Sequence, residues 1–307
     1  MVSNVENKAI IFVVGSINVD YITEMEIFPK EGETVSGTGF RKAAGGKGAN
    51  QAVQLARLGA KVSMVGAVGN DADGREMREL LLSEGLCTDN VYVKDGVPTG
   101  CATILLQGSK NRIIVYSGAN GRLEMADVEF LKEAVSDSDM VVLQHEIPMQ
   151  INEVVADYAF AKGVPVLLNT APFAPVPSAL MSHITYLCAN ETEAESLSGV
   201  KVTADIETVK AAAEKILSLG AKNVLLTLGS AGAYLLGECG EYYSAAASGI
   251  DVVDTTAAGD SFIGGFVWAI TNGMDTQSAL DFANRTAAVT VSRKGAIPSL
   301  PKLCEVE

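Results

Sequence analysis

The chain has 307 residues, 48% hydrophobic and 20% charged, enough for a single domain with one α/β core and an elaboration. A net charge of −14 with no run of more than two adjacent Lys/Arg argues against nucleic-acid and anionic-membrane partners. Five scattered cysteines without a C-x-x-C exclude a disulfide framework and a zinc site and fit a reducing, cytoplasmic compartment, as does an N-terminus with no apolar leader or membrane-length run.

Apolar runs of strand length alternate with amphipathic stretches of helix length. In chain order they are a strand over 10–14 and a helix over 49–58, then a strand over 62–65 and a helix over 74–83. Strands over 140–143 and 164–168 and an apolar run over 184–189 follow, then a helix over 206–219 and a strand over 224–228. The last helix carries Phe262, Ile263, Phe266, Val267 and Ile270. This alternation predicts a layered α/β sandwich around a mostly parallel sheet. Residues 17–40 and 100–116 break the rhythm. They read as strands with hairpin-like turns and predict a small separate sheet, suited to act as a lid or to bind a second subunit.

Asp254-Thr255-Thr256-Ala257-Ala258-Gly259-Asp260 runs into the last helix. A small-residue loop at a helix start gathers unpaired N–H groups and the positive end of the helix dipole, which suits an anion. Asp260 would repel that anion unless it acts as general base toward a nucleophile that attacks phosphate; as an N-cap it needs no chemistry, and spacing alone leaves both readings open.

Gly45-Gly46-Lys47-Gly48-Ala49-Asn50 lacks the glycine and Ser/Thr of a P-loop, and no strand runs into G-x-G-x-x-G. It reads as a turn that approaches a ligand, with Lys47 and Asn50 as donors or Asn50 as a plain helix cap. Asn18 and Asp20 fall on one face of an extended segment and suit vicinal hydroxyls, a turn being the bland alternative. Glu146 follows a strand at the edge where open parallel sheets bind ligands. Asn190 and Glu193 fit either a capping box or the water shell of a magnesium ion. Thr227, Gly229, Ser230 and Gly232 form a small-residue turn suited to a nucleotide, while His145 and His183, isolated from other ligand types, read as structural.

Taken together, Gly15-Ser16-Ile17-Asn18-Val19-Asp20, Gly45-Gly46-Lys47-Gly48-Ala49-Asn50-Gln51-Ala52, Asn190-x-x-Glu193 and Asp254-Thr255-x-Ala257-Ala258-Gly259-Asp260 resemble the ribokinase family of sugar kinases over essentially the whole chain. The resemblance implies a three-layer sandwich with a β-sheet lid that pairs in a homodimer, and transfer of the ATP γ-phosphoryl group to the 5-hydroxyl of D-ribose. It implies Asp260 as general base, with the N–H groups of Ala257, Ala258 and Gly259 as anion hole. Asn18, Asp20, Gly46, Lys47, Asn50 and Glu146 would bind the sugar. Asn190, Thr227, Gly229, Ser230, Gly232 and Asn284 would lie along the nucleotide, with Glu193 on magnesium through water. A potassium ion would take Asp254, the carbonyls of Thr256, Thr290 and Gly295, and the Ser299 hydroxyl. Deoxyribose, a nucleoside, a keto-sugar acid or a sugar phosphate are the alternative substrates, and a sugar-binding protein without catalysis is the alternative class.

Overall fold

In a computed structural model that describes residues 8–108 and 110–306, strands and helices alternate through most of the chain. The first half contains β1 (Ile10–Val14), β2 (Asn18–Glu24), β3 (Gly39–Gly45), α1 (Lys47–Arg57), β4 (Lys61–Gly69), α2 (Ala72–Ser83), β5 (Cys87–Lys94), β6 (Gly100–Gln107) and β7 (Lys110–Tyr116). The short helices α3 (Met125–Val128) and α4 (Leu131–Ala134) lead to β8 (Met140–Gln144), α5 (Met149–Lys162), β9 (Val166–Asn169), α6 (Ser178–His183), β10 (Tyr186–Asn190), α7 (Glu191–Ser198) and α8 (Ile206–Leu217). Then come β11 (Asn223–Thr227), β12 (Ala233–Gly237), β13 (Gly240–Ser244), α9 (Ala258–Thr271) and α10 (Thr276–Val291).

The large sheet has the order β13-β12-β11-β10-β9-β8-β1-β4-β5. Pairing is parallel from β5 across to β11 and antiparallel only at β11-β12-β13. Strands buried on both faces must be apolar at successive positions, which is why β1, β8 and β11 read as continuous Ile/Val/Leu runs. Ile11 and Val13 pack into one core with α1, α9 and α10; Phe12 and Val14 pack into the other with α5 and α8. That alternation makes the three layers.

Chain order reverses between β1 and β8. From β1 the sheet grows outward through β4 and β5, and from β8 it grows the other way. Such a switch point leaves a crevice beyond the carboxyl ends of the strands, since the connections leave in opposite directions. The small sheet, order β3-β2-β6-β7, stands beside this crevice. It corrects the sequence expectation in two respects: its second strand continues past Phe40 to Gly45, and β2 pairs with β6 in parallel. Only β6–β7 is a tight hairpin, because residues 25–38 separate β2 from β3.

Candidate active site

Helix α1 starts beneath the crevice because of its glycines. Gly46 is the N-cap with φ of 92°, and a Cβ there would meet the Asn18 nitrogen at 2.7 Å and the Ser16 oxygen at 2.9 Å. At Gly48 a Cβ would meet the Ser16 nitrogen at 2.6 Å. Only glycine lets the helix start lie against the chain that leaves β1. Asn50 is therefore no cap. It sits one turn inside α1, aimed at α9.

Across the switch point, Ser16 Oγ donates to Glu146 Oε2 at 2.5 Å, and the Lys47 backbone N–H donates to the same oxygen at 3.0 Å. Asn18 Nδ2 lies 3.4 Å from it. Asn18 and Asp20 belong to β2 rather than to a turn. Asn18 is held by Asn120, whose Nδ2 donates to its Oδ1 at 2.7 Å. A cavity of about 350 Å³ lies here, lined by Asn18, Ser117, Asn120, Glu146 and residues of β7 and the β8–α5 turn. Burial, then the nearby charges of Glu146 and Asp260, raise the Asp20 pKa to about 6.

Asp260 is the third residue of α9, not its cap. The N-cap is Ala257, which has φ of 60° and is the only non-glycine residue with positive φ among the described residues. Asp260 is 7% exposed, and both carboxylate oxygens take side-chain donors from α1: Asn50 Nδ2 at 2.8 Å to Oδ2 and Gln51 Nε2 at 2.9 Å to Oδ1. Burial raises its pKa, opposed by Lys47 and by those two amides. Lys47 shows the reverse balance. Burial would lower its pKa, but Asp260, Glu146 and Glu193 outweigh that and keep it raised and cationic. Asn50 Oδ1 is buried without a partner, a free acceptor beside Asp260.

A second cavity, of about 220 Å³, is lined by Asp260 together with Lys47, Asn190, Glu193, Thr227, Ala257, Ala258 and Gly259, and by Asn169 and Cys188. A Cβ at Gly259 would project into open space. The first-turn N–H groups of α9 face an anion site by helix geometry, although the Ala258 N–H is drawn to Thr255 O at 3.3 Å. Asn190 and Glu193 form a reciprocal capping box, with Asn190 Oδ1 accepting from the Glu193 N–H and Glu193 Oε2 from the Asn190 N–H. They cap α7 and line the cavity at once, so the two sequence readings are compatible.

Gly229, Ser230 and Gly232 form the β11–β12 turn, and Gly232 approaches the Ser244–Ala246 backbone within a Cβ's reach. Asn284 lines neither cavity. Its Nδ2 donates to Ser244 O at 3.0 Å and Ala245 O at 3.3 Å and so holds the segment after β13. Asp254 Oδ1 accepts from the Thr256 N–H and hydroxyl, and Oδ2 from the Gly295 N–H at 2.9 Å. These donors outweigh burial and hold its carboxyl below the ordinary range. The Asp254 N–H reaches Val291 O at 3.2 Å, so the loop at 254–256, the end of α10 at Thr290 and the Gly295 turn meet, with Ser299 in the next turn. Among the described residues no group of three or more His, Cys, Asp or Glu is spaced to hold a metal. His183 stacks on Phe160 at 4.2 Å, outside both cavities. His145 borders the Glu146 cavity, and burial lowers its pKa.

Sequence reasoning assigned no role to Ser16, Gln51, Asn120, Gln144 or Asn169. The available signal for Gln51 was Asn50, Gln51 and Gln54 standing together among the Ala, Val and Leu of residues 49–56.

This sequence and this fold match a known group. Residues 8–303 match the model of the pfkB family carbohydrate kinases, and the chain belongs to that family. Among its relatives, ribokinase of Schizosaccharomyces pombe is 42% identical, with 97% of this chain and 96% of the relative covered, and ribokinase of Arabidopsis thaliana is 40% identical over 94% and 78%. The solved structure of Arabidopsis thaliana ribokinase complexed with ribose and ATP superposes with a TM-score of 0.89 at 37% identity, covering 97% of each chain.

Proposed function

We propose that this chain phosphorylates D-ribose at its 5-hydroxyl, with ATP as donor and Asp260 as general base. The observation that carries the mechanism is a buried carboxylate at the start of α9, gripped at both oxygens by amide donors and lining the cavity beside the first turn of that helix. Relatives named ribokinase, similar over nearly the whole chain, and a neighbour solved with ribose and ATP support the substrate and the donor.

The sugar fits the Glu146 side. Asn18, Asp20, Glu146 and the unpaired Asn50 Oδ1 offer acceptors for hydroxyls, and the N–H of Gly46 and the Lys47 ammonium offer donors. The triphosphate fits the Glu193 side, against the first turn of α9, with Thr227, Gly229, Ser230 and Gly232 along the nucleotide and Asn284 shaping that wall. Asp260 takes the proton of the attacking hydroxyl, while Lys47 and the Ala257–Gly259 backbone meet charge on the transferring group.

The residues present fit a magnesium ion held mainly by phosphate and water, because Glu193 and Asn190 spend one oxygen each on capping α7 and, among the described residues, no acidic cage surrounds them. That ion would neutralise phosphate charge. A potassium ion fits the meeting point of Asp254, Thr256, Thr290, Gly295 and Ser299, where carbonyls predominate, and would steady the anion loop from behind. The small sheet serves as a lid over the sugar, and its bare outer residues suit pairing with a second copy. The five cysteines are free thiols, consistent with a cytoplasmic protein, and no described helix is long and apolar enough to cross a membrane.

The test is ADP release with magnesium, potassium and ATP, across ribose, deoxyribose, adenosine and fructose 6-phosphate. Ribose is expected to be preferred, and Asp260→Asn to lower kcat by about 10²–10⁴ with ribose affinity within a few-fold. Near wild-type turnover in that variant would remove Asp260 as the base.

A further inference from the structure

We propose that Gln51, backed by Gln144, is a positioning residue that holds the Asp260 carboxylate in its reactive orientation; this rests on Asp260 being the base. Gln51 and Gln144 are wholly buried, 0% exposed, where an amide side chain is costly unless its polar atoms are paired; both polar atoms of Gln51 are paired, while Gln144 Oε1 has no partner. Gln51 Nε2 donates to Asp260 Oδ1 at 2.9 Å, and Gln51 Oε1 accepts from Gln144 Nε2 at 2.7 Å. The Gln144 side chain reaches this place because residue 15 is glycine: a Cβ there would stand 1.9 Å from Gln144 Oε1.

The polarity of this chain of amides follows from its end. An ionised carboxylate only accepts, so Gln51 must present its NH₂ to Asp260 and its oxygen to Gln144, and Gln144 must answer with its own NH₂. Asn50, the other donor to Asp260, keeps a free acceptor and can turn to a ligand. Gln51 has none to spare. Its oxygen is committed to Gln144 and its nitrogen to Asp260, with Asn169 Oδ1 at 3.4 Å, so it serves the carboxylate and not the substrate. The need for such a clamp is electrostatic. Asp260 is buried and shares its neighbourhood with Glu146, both of which favour protonation, and a donor fixed on Oδ1 opposes this while leaving Oδ2 turned to Asn50 and the sugar side.

The decisive measurement is the pH profile of kcat for Gln51→Leu, with Asp260→Asn in parallel and ribose affinity measured by calorimetry without ATP. In Gln51→Leu, kcat should fall about 10- to 100-fold, the cost of a loosely held catalytic group. The acidic limb should move to higher pH, because a lost donor makes the base easier to protonate, and ribose affinity should stay within about threefold. Gln144→Met, which frees the Gln51 amide to flip, should shift the limb the same way by less. It decides the matter should Gln51→Leu not fold. A wild-type acidic limb in the folded variant overturns the proposal, even if kcat falls. If Asp260→Asn turns over normally, the reading of Asp260 itself fails, an outcome distinct from the first.

Discussion

Every residue of β8 in the large sheet is buried, whereas every residue of β7 in the small sheet is exposed. Both strands are rich in Ile, Val or Leu. The difference lies in what covers them: helices lie on both faces of the large sheet, while Phe40, Ile113, Ile114, Val115 and Tyr116 of the small sheet stay exposed, Val115 on the side of the Glu146 cavity. A parallel sheet must be sealed to satisfy its apolar strands, and a sheet left bare on one side can close over a ligand or meet another chain. Stability is concentrated in the first and adaptability in the second. Between them, where Asp20, Glu146 and Asp260 gather, neither rule holds, because charge is buried there at a cost.

Three substitutions test this division. Leu225→Ala, in the sealed core of β11, should destabilise the fold by about 2–5 kcal/mol, read as a lower urea midpoint. A loss under 1 kcal/mol would mean that the large sheet does not carry the stability. Asp20→Asn should do the opposite. Burial raises the Asp20 pKa above its unfolded value, so the folded state binds the extra proton between about pH 4 and 6, and stability falls as pH rises through that window. At pH 7.5 the variant should gain at most about 3 kcal/mol, from a shift of roughly two units. The gain should vanish near pH 4, and the ribose KM should rise. A variant no more stable than the parent at pH 7.5 would show that Asp20 is not held at a cost. Smallest for the fold is Ile114→Lys on β7, which should change stability by under about 0.5 kcal/mol in dilute protein, read from the urea midpoint, yet abolish the proposed pairing of two copies, read as loss of dimers in sedimentation. A wild-type protein that sediments as a monomer removes the pairing.

The sealed sheet was the legible part. Strands β1, β4, β8, β9 and β11 announce themselves as apolar runs because both faces are covered, and Ile10–Val14 was bounded to the residue. Edge strands carry no such run: β5 is Cys-Thr-Asp-Asn-Val-Tyr-Val-Lys, half polar, and β12, β13 and α10 were likewise not read. At the site, glycines and charges were visible as motif residues. Spacing leaves Asn50 open between donor and cap because the two look alike in one dimension, and the structure shows the donor. Gln51 and Gln144 were passed over because their role exists only once α1, β8 and α9 are brought together. The cation residues at 290–299 rested on resemblance alone, since backbone carbonyls leave no trace in residue type.

The bond from Ser16 to Glu146 spans 130 positions and that from Asn50 to Asp260 spans 210. A chain emerging from the ribosome therefore has both partners of the Ser16–Glu146 bond near its midpoint but lacks Asp260 until most of its length has been made. Half-made product lacks Asp260 and the first turn of α9 altogether, so it has no means of phosphoryl transfer and cannot spend ATP unproductively. The lateness of α9 in the sequence makes completion of the fold a precondition for chemistry.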